Sequence, residues 1–317
     1  MRALALTALA LAVLAMVGGG IRAYAERPEP TSTPPVEPVR IGAGPEAESR
    51  LLATIVAELL AAADLPAEVI AFERGRDARQ AIELREVDVL PSYTGAVWLD
   101  RFGWSSPPGA PTNSYDQVKA ADEQDGLIWL PPTEVNATFA FVVAGSPARS
   151  GSMQELHHLA LAVNTDPDAL LCVDGAYASR PDGLAALARL YAIRDEVLHE
   201  QVLEAAPDDA VRGVANGDCL AGLTTVTDGN AWLAGLRPLA DNQRAFPAFL
   251  LAPVVTEELR ERHPEVIAAI APFALMTAPE LAMWNGRTAL EEPRDVVAAE
   301  AAETLRARHE ELTPPAA

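Results

Sequence analysis

Residues 39–91 switch between two hydrophobic periods at short intervals, and this alternation constrains the fold more than any other feature of the chain. VRIGAG (39–44) reads as a strand. ESRLLATIVAELLAAAD (48–64) then places Leu51, Leu52, Ile55, Val56, Leu59 and Leu60 on one helical face. AEVIAF (67–72) is a second strand, ARQAIELRE (78–86) lies in a second helix, and VDVLP (87–91) is a third strand. Strand–helix–strand–helix–strand with short links is the pattern of a parallel α/β sheet. Ligands of such sheets collect at the carboxyl ends of the strands. The stretch VLPSYTGAVW (89–98) therefore sets Tyr93 just past the third strand, beside Thr94 and a turn glycine, Gly95, where a cleft is expected.

The pattern restarts near residue 138. TFAFVVAG (138–145) is a strand, MQELHHLALAV (153–163) a helix and ALLCVDG (169–175) a strand; helical stretches fill 182–216, and CLAGLTTVTDG (219–229) returns to strand and turn. AFPAFLLAPVV (245–255) is strand-like, and two long helices follow, 257–275 with Pro264 in its first turns, and 294–310. A chain that builds one α/β lobe, then another, then returns predicts a first lobe of 39–137 and 244–317 and a second of 138–243. Two crossings near residues 137 and 244 would act as hinges, with the ligand between the lobes.

Half the residues are apolar but only 5% are aromatic, so each aromatic side chain stands out as a candidate ligand contact. The formal charge of −21 argues against nucleic acid or anionic membrane surfaces, which need basic patches, and is compatible with a cationic ligand. Residues 1–25 have a basic start, an apolar run and Ala23-Tyr24-Ala25, the pattern of a secretory signal. An uncleaved anchor is the alternative, since residues 3–21 are long enough to span a bilayer; three consecutive glycines and the A-x-A site favour cleavage. No cysteine lies near the cut, which excludes a lipoprotein anchor. The Pro-rich stretch 26–38 reads as a tether. Cys172 and Cys219 are the only cysteines, and in an exported protein this suggests one disulfide, with two buried thiols as the alternative.

Signals for catalysis are weak. Gly42 and Gly44 do not extend to a dinucleotide fingerprint, and neither a phosphate-binding GxxxxGK[ST] nor a G-x-S-x-G is present. Asp166 and Asp168 flank Pro167 as turn residues do, and Glu257 and Glu258 follow Thr256 as first-turn acids of a helix. The five histidines, His157, His158, His199, His263 and His309, show no ligand spacing with either cysteine, so neither a metal nor a cofactor is expected.

Five segments in order resemble the osmoprotectant-type substrate-binding proteins of ABC importers, receptors for glycine betaine, choline, carnitine and related quaternary ammonium compounds. They are IGAG with the acidic helix and VDVLPSYTGAVW; NATFAFVV (136–143); Arg180-Pro181-Asp182-Gly183-Leu184 followed by Leu190-Tyr191; Thr227-Asp228-Gly229; and LRPLADNQRAFPAFLLAPVV (236–255). The resemblance spans residues 39 to about 305 and implies a type II periplasmic-binding-protein-like fold with the ligand between the lobes. It also implies an aromatic cage, because a quaternary ammonium has no N–H to donate and is held by ring faces. Position by position, the implied contacts are Tyr93, Phe139, Phe249 and Thr225, with Thr94, Asp228 and Arg180 as further ligand contacts. Phe139 and Phe249 stand where the family usually has tyrosine, and Thr225 where it has an aromatic. Trp98 and Trp232 are candidates for the missing wall, with core packing as the alternative. Gly44 and Ala96 replace side chains that the family often uses for a carboxylate, so a choline-like cation is expected over glycine betaine. The implied partner is the membrane permease of an ABC importer, with the protein acting as a monomer outside the cytoplasm. Two rivals are a receptor-fold sensor or interaction module with another ligand, and a secreted enzyme on the same fold.

Overall fold

The computed structural model describes residues 37–102 and 110–313. The secretory signal and nearly all of the Pro-rich tether lie outside the described residues. Five strands of the first sheet are β1 (Val39–Ala43), β2 (Ala67–Ala71), β3 (Val89–Tyr93), β4 (Leu127–Trp129) and, after an excursion of some 120 residues, a returning strand (Leu251–Thr256). The second sheet is built from β5 (Phe139–Ala144), β6 (Leu171–Val173), β7 (Val202–Glu204), β8 (Ala221–Thr225) and β9 (Leu236–Pro238); the returning strand is β10. The sheet orders are β2-β1-β3-β10-β4 and β7-β6-β8-β5-β9. In each, the strand that has just crossed from the other half, β10 or β5, is the antiparallel one. The two sheets thus repeat one topology.

The helix 47–61 forms as its pattern requires: Leu51, Leu52, Ile55, Val56, Leu59 and Leu60 are each at most 1% exposed. They pack into one core with β1, β3 and the apolar side of the helix 294–312 through Val297, Ala301 and Leu305. On the opposite face, Ile82, Leu90, Val97, Val118 and Trp129 form a second core. The central strands β3 and β10 oppose two prolines, Pro91 and Pro253, a pairing in which neither residue has an N–H to donate to the other.

Several boundaries differ from the sequence reading. β3 runs to Tyr93, so the tyrosine ends the strand rather than following it. Gly95 is not a turn residue but lies in the first turn of the helix 94–102. A short edge strand, β7, interrupts the stretch 182–216 expected to be helical. The expected helix 257–275 is broken after Arg262, where Pro264 starts a new helix, and continues as a 3-10 turn over 271–275. A further helix, Ala278–Ala289, begins where Glu280 Oε2 accepts from both the amide (3.0 Å) and the hydroxyl (2.7 Å) of Thr277.

Cys172 and Cys219 are joined in a disulfide that ties β6 to the loop before β8, their Cα atoms 5.9 Å apart. The two crossings between the sheets run side by side. Ala137 N donates to Phe249 O (3.0 Å), Phe249 N to Asn136 Oδ1 (2.7 Å), and Thr138 Oγ1 to Pro247 O (2.5 Å).

Candidate ligand-binding site

Tyr93, the last residue of β3, donates its hydroxyl to Glu48 Oε1 at 2.5 Å. Glu48 lies in the first turn of the helix 47–61, whose N-terminus follows β1 directly. The other carboxylate oxygen, Oε2, accepts from Asn285 Nδ2 at 2.6 Å. The same amide nitrogen donates to the Thr227 carbonyl at 2.9 Å. Tyr93, Glu48 and Asn285 belong to the half built on the first sheet; Thr227 follows β8 of the second. One chain of hydrogen bonds therefore joins the two halves at the cleft. Burial, together with the charge of Glu48 and the hydrogen bond to it, holds the Tyr93 phenol well above the ordinary tyrosine range.

Phe249, in the second crossing, lays its ring against Gly95. A Cβ at Gly95 would fall 2.5 Å from the ring, so only glycine permits this approach. The glycine after Tyr93-Thr94 is thus a seat for an aromatic that arrives 154 positions later in the chain.

A cavity of about 400 Å³ opens here, lined by Glu48, Tyr93, Phe249, Asn285 and Thr288 from one side and Thr225, Thr227, Asp228 and Gly229 from the other. A larger cavity of about 780 Å³ shares Glu48, Tyr93 and Phe249 with it and extends along Gly44, Ser49, Ser92 and Ala96. A third, of about 320 Å³, lies on the second half and is lined by Phe139, Tyr177, Arg180, Thr224 and Thr225. The residues singled out from the sequence are therefore divided. Tyr93, Phe249, Thr225 and Asp228 meet at the first cavity; Phe139 and Arg180 face the third; Thr225 borders both.

The remaining placements are structural. Thr94 is fully buried; its hydroxyl accepts from Leu250 N (3.0 Å) and lies 3.2 Å from Ser114 Oγ, so it fixes β3 to the returning chain. Asp228 borders the cavity, but its carboxylate caps the helix 229–233 through Asn230 N (2.8 Å) and Ala231 N (3.0 Å) and also accepts from Thr224. Arg180 is held in a two-point ion pair by Asp182 (2.9 and 2.7 Å), which offsets its charge within its own loop. Trp98 packs on the outer core of the first half and stacks on Phe102, with ring centres 4.6 Å apart. Trp232 is 43% exposed and lies over Gly286. Neither tryptophan is among the described residues that line the three cavities. Phe139 joins Tyr177 and Phe246 in an aromatic cluster, with centroids 5.1 and 6.2 Å away.

Glu48 and Asn285 were not singled out by the sequence, and Thr227 only as part of the Thr227-Asp228-Gly229 segment. An acid in a helix's first turn reads as a dipole partner, and Asn285 sits in the helix 278–289. The signature Thr277-Ala278-Pro279-Glu280, a capping box with proline in the first helical turn, would have located that helix. Asp166 Oδ1 accepts from Asp168 N (3.0 Å), and Thr256 caps the helix bearing Glu257 and Glu258, so these acids have the turn and helix-start roles expected.

Among curated proteins, the chain is 29% identical over 282 residues to the glycine-betaine-binding protein of Pseudomonas aeruginosa, covering 86% of this chain and 88% of that one. It is 28% identical over 268 residues to the glycine betaine-binding protein YehZ of Escherichia coli, covering 80% and 86%. The solved structure of apo YehZ from Escherichia coli superposes with a TM-score of 0.77 at 24% identity, covering 84% of this chain and 98% of that one. A glycine betaine/carnitine/choline ABC transporter structure gives 0.75 at 18% identity, with the same coverage. These establish the two-lobed type II fold, and the relatives are binding proteins rather than enzymes. Residues 37–303 match the family described as the substrate binding domain of ABC-type glycine betaine transport systems, and the chain belongs to that family.

Proposed function

We propose that this substrate-binding protein takes up a small quaternary ammonium cation, choline-like in preference to glycine betaine, and presents it as a monomer to the permease of an ABC importer on the outer side of the membrane. The observation that carries the reading is the pair of rings, Tyr93 and Phe249, at a 400 Å³ cavity with no lysine, arginine or histidine among the described residues of its lining. A quaternary ammonium group is held by ring faces, each contributing about 0.5–2 kcal/mol in a desolvated site. A ligand carboxylate would instead need a cation or several donors, and a buried anion left unpaired costs several kcal/mol. Gly44 and Ala96 line the adjoining cavity and carry no side-chain donor; its arginine, Arg79, is already paired with Asp122 and Glu83, which leaves the Ser49 and Ser92 hydroxyls. The relatives are named for glycine betaine, so the preference for choline is the sharpest part of this reading. Closure would swing the lobes about the paired crossings at 136–138 and 247–250, bringing Thr225 and Thr227 over the cation.

Calorimetric titration of residues 26–317 with choline, glycine betaine, carnitine, ectoine and a polyamine tests this. Saturable choline binding that is lost in Tyr93→Ala, with glycine betaine weaker, is the expected result. No binding across the panel would refute the ligand class and favour a sensor or interaction module with another ligand.

A further inference from the structure

Glu48 is the one acidic side chain shared by the two cavities that meet at Tyr93 and Phe249. Each of its carboxylate oxygens is held: Oε1 by the Tyr93 hydroxyl at 2.5 Å, and Oε2 by the Asn285 amide at 2.6 Å. Both donors are neutral. Among the described residues no arginine, lysine or histidine forms an ion pair with Glu48, in contrast to Asp122, Asp182 and Glu280, each paired with arginine. Neutral donors replace the water that a carboxylate loses on partial burial, but they leave its charge in place. Asp228, the other acid at the smaller cavity, also has neutral partners and keeps its charge, but its oxygens are directed at the start of the helix 229–233 and at Thr224. Of the two carboxylates at the smaller cavity, Glu48 is thus the one hydrogen-bonded to a ring residue, half-buried, with both of its oxygens fixed in direction.

We propose that Glu48 is the specificity-determining residue of the cleft, selecting ligands that carry net positive charge over neutral and zwitterionic ligands of the same shape. This rests on the cavity at Tyr93 and Phe249 being the ligand site, and goes beyond it, because ring faces alone attract the ammonium group of a cation and of a zwitterion alike. The carboxylate attracts the cation, repels the carboxylate of a zwitterion, and gives a neutral ligand nothing in return for displacing water. Asn285 is a positioning residue in this scheme: one N–H orients Glu48 and the other reaches Thr227 O at 2.9 Å, so the carboxylate is held at the ligand and tied to the facing lobe by the same amide.

The test compares choline with its neutral isostere, 3,3-dimethylbutan-1-ol, and with glycine betaine, in the unmodified protein, Glu48→Gln and Glu48→Asp. Glu48→Gln is expected to weaken choline at least tenfold, to change the neutral alcohol less than threefold, and to weaken glycine betaine less than choline. Glu48→Asp keeps the charge while disturbing both hydrogen bonds, and is expected to retain the choline-to-alcohol ratio to within threefold even where both affinities fall. If Glu48→Gln weakens choline and the alcohol by the same factor, or if Glu48→Asp loses the ratio as fully as Glu48→Gln, Glu48 acts through geometry and the proposal is overturned while the ligand site stands. If the unmodified protein binds none of the three ligands, the proposal and the assignment of the site fall together.

Discussion

The two halves of this protein share a strand order and differ in what they bring to the cleft. The half built on the first sheet supplies Tyr93, Phe249, Glu48 and Asn285, an aromatic pair and a hydrogen-bonded carboxylate. The other supplies Thr225, the Thr227 carbonyl, and the capped turn Asp228-Gly229. Its own aromatics, Phe139, Tyr177 and Phe246, pack on one another at tilted angles. The second half is also the one carrying the disulfide, whereas the first is held by large cores on both faces of its sheet. The contrast teaches that the fold's internal symmetry does not extend to function. On the proposed reading, one lobe grips and the other is a stable cover.

The sharpest way to break the comparison is to remove the disulfide. Closing a loop between positions 47 apart in sequence is worth about 4 kcal/mol in the chain-entropy model. Cys172→Ala with Cys219→Ala should lower unfolding free energy by about that amount in denaturant titration, while choline affinity at 25 °C changes less than threefold. A large loss of affinity would place the cover's rigidity within the binding mechanism. Next in size, Gly95→Val puts a branched side chain where a Cβ already falls 2.5 Å from the Phe249 ring. It should cost about 1–3 kcal/mol of stability and at least tenfold in ligand affinity, because the ring must leave its seat. Unchanged affinity would remove Phe249 from the site.

Asn285→Ala removes a hydrogen-bonded link between the lobes and one of the two donors to Glu48. A loss of about 1–2 kcal/mol in ligand binding is expected, together with a more open average shape by small-angle scattering in the presence of ligand. Smallest is Thr225→Ala, expected to change affinity by less than about 0.5 kcal/mol, since this residue contributes a hydroxyl where no aromatic wall is built. At high pH the direction is fixed by the tyrosines. Tyr115 is pushed up to about 12, chiefly by burial, and Tyr93 is raised by burial and Glu48. A phenol whose value is raised on folding contributes stability that is complete below pH 10. It is lost as pH climbs from 10 through about 12, so unfolding free energy should fall across that window in alkaline denaturation.

Much of this was legible in the chain. The spacing of Leu51 to Leu60 announced a buried helix face because period 3.6 survives in sequence, and the repeated strand–helix alternation announced two sheets. Tyr93 was marked by its place at a strand end, and the two cysteines by their isolation. Pairings across long separations were not legible. Nothing local to Gly95 reports that Phe249 will lie on it, and nothing local to Asn136 reports that its side chain will accept from the Phe249 amide. Glu48 was hidden for another reason: its sequence context fits a generic helix-start acid, and only the arrival of Tyr93 and Asn285 gives its oxygens separate partners. Arg180 and Asp228 show the opposite case. Their motifs stand out, yet short-range partners within two or three residues take up most of their capacity.

The most direct test of a gripping first lobe and a covering second is a crystal structure of the protein with choline. The account predicts the trimethylammonium group against the Tyr93 and Phe249 rings, beside Glu48 and facing Thr225. A ligand seated instead in the cavity of Phe139, Tyr177 and Arg180 would contradict it, and would make the second lobe the binding half.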